Sequence, residues 1–585
     1  MNNESQNTLN IGTGILILLC VLSLFFFLGD TLFNTRGEPR EAIVAYSMLE
    51  HSNWVLPINN GDEIAFKPPF LHWCIAVFST LTGKVTEFTA RFPSALSTTL
   101  MVIFGYIFYA HRRSTKVALL MGLLTLTNFE VHRAAYACRV DMLLSALIVL
   151  SIFALYRWIE KDRKGIPWLA LTLMAGAALT KGPIGALLPC GVAGSFLLLR
   201  GHNIFKLMAQ FLLLAIVALL PLFLWYYLAY LQPHGGDRFL QLIYEENILR
   251  FTGGMTYTSH LNPWYYNVQT IITGFLPYTL IPLIALPSCW KYLKEALTKS
   301  SLKKFFTGKT FEKMSDIDLY TLLGFLVIFI FYCIPASKRS VYLLPAYPFI
   351  AYFLAEFILW LSNKHNKVVL AFGHFIAFLS FLLIGIFIVV RTIGIPESVF
   401  SGKHATENLM YLHALEETPI GIMALISISL PVLAAVYFEI KRYKSRHSEA
   451  STQLVYTILA IVFCLFFALD GFYQPTILNK KSDKDIAEKI KEEIPTGRIY
   501  SYREEYIDAN RMHPFTINFY MDDRVIPIDK ATTAPKEGYL IVSGNSMDRF
   551  VKEYPQYQAE MIFKTEKRSC DDRQPVCFYH FELKK

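Results

Sequence analysis

The chain has 585 residues, of which 54% are hydrophobic and only 17% charged, with a formal net charge of +9. Soluble proteins carry about 25% charged residues, so this balance excludes a soluble enzyme or binding module as the bulk of the chain. Nor does the positive charge point to nucleic acid, because the Lys and Arg residues fall in short loops between apolar runs.

The first apolar run, residues 11–33, has no basic segment before it and no small-residue cleavage site after it. It is expected to be a retained span rather than a signal peptide. A spanning helix needs about 20 apolar residues. Further spans are therefore expected near 91–110, 115–130, 141–158, 166–180, 183–199, 205–230, 264–287, 318–336, 341–361, 368–390, 419–439 and 453–470, about thirteen in all. The shorter run 69–83 is expected to lie at the interface.

With the N-terminus in the cytoplasm, the inner loops hold Arg112, Arg113 and Lys116; Arg157, Lys161, Arg163 and Lys164; Arg200 and Lys206; the Lys-rich stretch 291–313; Lys364 and Lys367; and Lys441, Arg442, Lys444 and Arg446. That is the positive-inside bias. An odd span count then places residues 471–585 outside. This tail changes character. Residues 483–493 form an amphipathic helical pattern, and GRIYSY, RVIPI, GYLIVS, AEMIFK and CFYHFEL alternate like short strands. The expected architecture is an all-α polytopic membrane domain over 1–470 and a small soluble α/β domain over 471–585. None of the nine cysteines has zinc-ligand spacing. Seven lie in or beside apolar runs, whereas Cys570 and Cys577 lie in the tail, where an oxidising outer compartment would let them pair.

The chemistry is expected on the outer side, in loops that break the charge rule. The first outer loop, 34–90, holds Glu38, Arg40, Glu41, Asp62, Glu63 and Lys67. Helical spacing of apolar residues over 39–49 predicts a surface helix with Pro39 in its first turn and Glu38 and Arg40 at its start. Further on come Arg133, Arg139 and Asp141; Lys181 in TKGP; Glu245, Glu246, Arg250 and His260; and Lys338, Arg339 and Tyr342. Taken singly, a Lys or Arg at a helix end more often snorkels to the headgroups, and an Asp at a span start caps a helix. Arg133, Lys181 and His260 in particular fit an ordinary interfacial role. Taken together, cations at membrane depth with a carboxylate among them suit a phosphate-bearing lipid and a proton acceptor. The pattern implies a transferase with a lipid-phosphate donor.

GEPREAIVAYSMLEHSNWVLPINNGDEIAFKPPFLHW, followed by EFTARFPSAL, resembles the signature of the bacterial C-type glycosyltransferases of the dolichyl-phosphate-mannose protein mannosyltransferase superfamily. ACRVDM, LTKGPIG, ENILRF and SKRSVYLLPAYP extend the resemblance over residues 10–360. The branch it is most similar to modifies lipid A with aminoarabinose. The resemblance implies a polyprenyl-phosphate sugar donor, an acceptor that is a lipid, glycan or protein, and transfer on the periplasmic face of a bacterial inner membrane. It also implies roles. Gly37 stands at the first, catalytic position of the family's Asp-Glu pair and Glu38 at the second, so Glu38 is the expected catalytic carboxylate, with Asp141 beside it and Glu41 in reserve. Arg40, Lys67, Arg139, Arg250, Lys338, Arg339 and Tyr342 are the expected contacts of the donor phosphate, with Lys181 and His260 as further candidates. The zinc ligands of the aminoarabinose branch are replaced by Phe66 and Asn247, which implies no zinc there; Asp62, Glu63, Glu245 and Glu246 leave another divalent cation open. A transporter or flippase is the alternative class, but its usual internal repeats and matching broken helices are not evident. An O-antigen-type ligase would centre on a later loop, and a scaffold would not need clustered outer cations.

Overall fold

A computed structural model of the chain describes residues 3–584 apart from 62, 234, 246–260, 297, 299–308, 403, 445–448, 503–513, 529–534 and 545. Asp62, Glu246, Asn247, Arg250, His260 and Arg446 therefore lie outside the described residues, as does much of the 291–313 stretch.

The chain runs α1 (Asn3–Leu24), α2 (Gly37–His51), a two-stranded ribbon β1 (Ile58–Asn59) and β2 (Glu63–Ile64), α3 (Phe70–Thr82), α4 (Glu87–Ala110), α5 (Thr115–Leu126), α6 (Phe129–Ala135), α7 (Val140–Ile159), α8 (Trp168–Lys181), α9 (Ile184–Leu199), α10 (Ile204–Tyr230) and α11 (Gly236–Tyr244). Long helices follow at Asp316–Cys333, Tyr347–Lys364, Asn366–Thr392, Ile422–Lys444 and Glu449–Ala468. Among the described residues, nine helical segments are long and apolar enough to cross a membrane, and α3, α5, α8 and α9 are shorter apolar helices. This is a mostly helical multi-span membrane protein.

Two expected spans come out divided. In 115–130, Asn128 accepts a hydrogen bond from the Val131 amide at 3.0 Å and so caps a separate helix, α6. In 264–287 the helices Tyr266–Gly274 and Leu280–Ala296 flank Pro277, which has no amide to continue the ladder. Packing is close where the residues are small. A Cβ on Gly185 of α9 would stand 2.4 Å from the Ala177 backbone of α8, which is how small residues let membrane helices approach. The buried Tyr320 hydroxyl finds its partner inside the bundle, as lipid offers none, donating to the Ile152 carbonyl at 2.8 Å.

The last span continues through a π turn at Leu469–Tyr473 into Gln474–Lys481. The bundle thus ends beyond residue 470. The tail is a five-stranded mixed sheet in the order β4-β3-β5-β7-β6, with β3 (Ile499–Ser501), β4 (Val525–Pro527), β5 (Glu537–Ser543), β6 (Tyr557–Arg568) and β7 (Pro575–Leu583). β3 runs parallel to β4 and β5, and β7 runs antiparallel to β5 and β6. Each strand coincides with an alternating segment of the sequence. On one face, Ile541, Val576 and Phe578 meet Ile486, Ile490 and Ile517 of two helices. On the other, Leu540, Val542 and Phe581 pack on Phe550.

This alternation overturns the Cys570–Cys577 disulfide, for both thiols are free. Cys570 approaches Asp483 and Thr516 on the first face. Cys577 pairs with Val542 in register and so points to the second face, because residues opposite one another in a ladder share a side.

The soluble domain is fastened to the segment after α1 and to the first loop. Asn479 accepts from the Leu32 amide at 2.8 Å, Tyr520 accepts from the Phe33 amide at 3.1 Å and donates to Glu87 at 2.7 Å. Asn518 donates to Asn60 at 2.7 Å, and Asp523 accepts from the Asn60 amide at 2.9 Å. We call this end of the bundle the capped end.

Candidate functional site

α2 lies at the capped end, as the 39–49 spacing predicts, with Pro39 in the first turn where a missing amide is harmless. Ala42, Ala45 and Met48 are buried, and Ala42 and Ala45 pack with Leu71, Ile75 and Ala76 of α3. This holds two carboxylates, one turn apart, against different neighbours.

Glu38 is sealed. Arg91 of α4 donates to both its oxygens, at 2.8 and 3.1 Å, and the Cys138 amide donates at 3.0 Å. Arg91 also holds the Leu28 and Thr31 carbonyls. Burial would raise the Glu38 carboxyl, but Arg91, the Cys138 amide and Arg139 outweigh it and hold it below the usual carboxylate range. With both oxygens bonded, Glu38 ties together α2, α4 and the start of α7.

Glu41 sits among cations that are partly open to solvent. One oxygen meets Lys67 and, at 3.2 Å, Arg40; the other meets His72 of α3 at 3.0 Å. Burial would raise its carboxyl, yet Lys67, the His72 hydrogen bond and Arg40 hold it well below the ordinary range. Burial and the nearby Arg40 bring Lys67 down to about 8, against the opposing pull of Glu41. Glu41 and Lys67 are therefore both charged at neutral pH.

The second half of the site comes from α7, α8 and the segment before the helix Tyr347–Lys364. Asp141, buried in the first turn of α7, pairs with Lys181 at the end of α8 at 2.5 Å. The Lys181 ammonium stands 4.3 Å from the centre of the Tyr342 ring, which stacks on Tyr332 at 5.4 Å. Arg139 and Arg339 act electrostatically on Asp141. Arg139 acts also on Glu38 and Lys67, and so joins the two halves.

Arg139 explains Gly37. A Cβ on Gly37 would stand 1.6 Å from an Arg139 guanidinium nitrogen, so the place a side chain would take at position 37 is filled by the guanidinium. Neither the Arg139 nor the Arg339 guanidinium has a hydrogen bond or ion pair among the described residues. Two unsatisfied guanidiniums beside two Lys–carboxylate pairs form a ready anion site.

Not every expected residue joins. Lys338 is buried and donates to the Pro335 and Asn262 carbonyls at 2.7 and 3.4 Å, so it ties its own loop to the segment at Asn262. Arg133 pairs with Glu130 at 2.6 Å. Phe66 packs with Leu56, Ile64 and Trp225 and offers no ligand atom. Sequence reasoning missed Arg91 and His72. Both stand alone in apolar stretches, ARFPSAL and FLHW, and an isolated ionisable residue in such a run is itself a signal.

Comparison with known proteins places this geometry. Residues 66–227 match the family model described as dolichyl-phosphate-mannose-protein mannosyltransferase. The crystal structure of ArnT from Cupriavidus metallidurans bound to undecaprenyl phosphate superposes with a TM-score of 0.67, covering 96% of this chain and 97% of that one at 18% identity. The chain has the fold of ArnT. An undecaprenyl phosphate-alpha-4-amino-4-deoxy-L-arabinose arabinosyl transferase 2 of Proteus mirabilis is 26% identical over 383 residues, 64% of each chain. An uncharacterized protein of Aquifex aeolicus is 29% identical over 359 residues, 60% of this chain and 65% of that one. The match thus spans just under two-thirds of these two relatives.

Proposed function

We propose that the protein is a membrane glycosyltransferase that takes a sugar from a polyprenyl-phosphate carrier, undecaprenyl phosphate in bacteria, and passes it to a lipid, glycan or protein of the cell envelope. The observation that carries this reading is the pair of unsatisfied guanidiniums, Arg139 and Arg339, beside the Glu41–Lys67 and Asp141–Lys181 pairs at the capped end. In this reading the capped end faces the periplasm and the N-terminus the cytoplasm of a bacterial inner membrane, in accord with the distribution of Lys and Arg.

The acceptor oxygen attacks the anomeric carbon, and the bond from that carbon to the phosphate oxygen breaks. The electron pair leaves on the phosphate, which takes up the proton of the acceptor hydroxyl. Arg139, Arg339, Lys67 and Lys181 stabilise the growing negative charge, with Arg40 at the rim. Such stabilisation is strong where fixed donors face a site with little water. Glycosyl transfer passes through an oxocarbenium-like state. Glu41, held ionised by its cations, faces that positive charge and accepts a hydrogen bond from the acceptor; Asp141 holds Lys181 in place. Tyr342 fixes the Lys181 ammonium from the opposite side.

The test uses purified protein in lipid nanodiscs with undecaprenyl phosphate. Wild type is expected to unfold at a higher temperature with the lipid, and Arg139→Ala and Arg339→Ala to lose most of that gain. Absence of any stabilisation of wild type overturns the proposal. Mass spectrometry of envelope lipids, glycans and proteins from cells with and without the active protein would then identify sugar and acceptor.

A further inference from the structure

A second lipid-facing feature lies at the opposite end of the bundle. α4 begins at Glu87, which bonds the soluble domain, and its 24 residues carry it about 36 Å away. There α4, α7 and α8 enclose a cleft of about 420 Å³ lined by Phe104, Ile107, Phe108, Leu150, Ala154 and Leu173, with His111, Arg112 and Arg157 among its walls. The walls are apolar and open outward, with Phe104 and Leu169 about half exposed.

The three basic residues differ. Arg112 is neutralised by Glu160, to which it donates at 2.8 and 2.5 Å, and it is fixed over the Phe108 ring at 4.1 Å. His111 donates from Nδ1 to the Ile107 carbonyl at 2.7 Å. Arg157 is exposed and has no hydrogen bond or ion pair among the described residues. The cleft therefore pairs an apolar trough at membrane depth with one uncompensated guanidinium at its rim.

We propose that this cleft is a binding site for an anionic glycerophospholipid, with an acyl chain between α4, α7 and α8 and the headgroup phosphate on Arg157. The surplus of a single positive charge favours a lipid with a net negative charge over a zwitterionic one, and basic sites between membrane helices act in this way. The site is distinct from that of the carrier lipid. Asp141 and Arg157 lie sixteen residues apart on α7, about 24 Å along the helix axis.

Native mass spectrometry of the full chain in detergent, titrated with phosphatidylglycerol, phosphatidylcholine or undecaprenyl phosphate, tests this. Wild type is expected to retain phosphatidylglycerol about fivefold better than phosphatidylcholine. Arg157→Ala abolishes the preference, Arg157→Lys keeps it, and Arg139→Ala, at the other end, leaves it unchanged. Ala154→Trp, which fills the trough, lowers retention of both phospholipids, and millimolar inorganic phosphate displaces neither. Arg157 supports nothing else in the fold, and thermal unfolding of each lipid-free variant checks that it is intact. Equal retention of the two phospholipids by wild type, a preference that survives Arg157→Ala, or displacement of phosphatidylglycerol by undecaprenyl phosphate would each overturn the proposal.

Discussion

Glu38 and Glu41 stand three residues apart on one helix and have opposite fates. Glu38 meets a buried Arg91 that satisfies both its oxygens, whereas Glu41 meets Lys67, Arg40 and His72 at the edge of an open cationic cluster. The first ties helices together; in the proposed reading the second faces the donor. Neither the number of partners nor the burial of the carboxylate separates them, for both oxygens of each are bonded and Glu41 is 4% exposed against 12% for Glu38. What does is the exposure of the permanent cations: the Arg91 side chain is 3% exposed, Lys67 32% and Arg40 41%, with only His72 buried beside Glu41.

The sharpest way to break this comparison is Arg91→Ala. It leaves Glu38 buried without its partner, and removing one member of a buried pair destabilises by about 3–5 kcal/mol. Thermal denaturation should show a large drop in midpoint; a variant as stable as wild type would mean that Glu38 is not an anchor. Glu41→Gln should do the converse. Turnover with a polyprenyl-phosphate sugar is expected to fall roughly 100- to 1,000-fold while the unfolding midpoint moves far less, and loss of both together would merge the two roles.

Gly37→Ala comes next. Its Cβ displaces the Arg139 guanidinium, so affinity for undecaprenyl phosphate should weaken by roughly tenfold, the scale of one charged hydrogen bond, and Arg139→Ala should do the same. Identical affinity in Gly37→Ala and wild type would remove Arg139 from the anion site.

The smallest effect is that of pH. Lys67 titrates near 8 in the folded protein against an ordinary value of 10.5, so donor binding should weaken a few-fold as the pH rises through about 8 and the ammonium is lost. The linkage to stability has the opposite sign. Between about 8 and 10.5 the unfolded chain holds more protons at this residue, so its contribution to stability rises with pH there. Glu41, held low, contributes stability that is present above its ordinary carboxylate range and lost as the pH falls through its depressed value. Lys67→Arg should abolish the alkaline loss of binding; its persistence would assign it to another group.

Most of the helices, the five strands of the tail and the surface helix after α1 were legible in the sequence. Each is a local regularity: an apolar run of given length, a period of two, or an apolar face with Pro in the first turn. The basic groups of the site were legible too, as charges out of place beside apolar runs. The division of labour among the carboxylates was not, because nothing local to Glu38 announces that Arg91, in a different helix, closes on it. Nor did spacing reveal that Arg139 fills the place of a side chain at Gly37, or that Lys338 turns onto backbone carbonyls of its own loop and of Asn262. The Cys570–Cys577 expectation failed for the same reason. Two residues near in sequence were assigned to one another, but Cys570, in the turn between β6 and β7, approaches Asp483 and Thr516, while the pleat of β7 turns Cys577 to the other face. Composition and periodicity by themselves determined where this chain is helical, where it is extended and which solvent it meets, since those depend on neighbours in sequence. Only the tertiary structure decided which charge is spent on holding helices together and which is left for a ligand, because that depends on the rotation and depth of helices that the chain brings together from far apart.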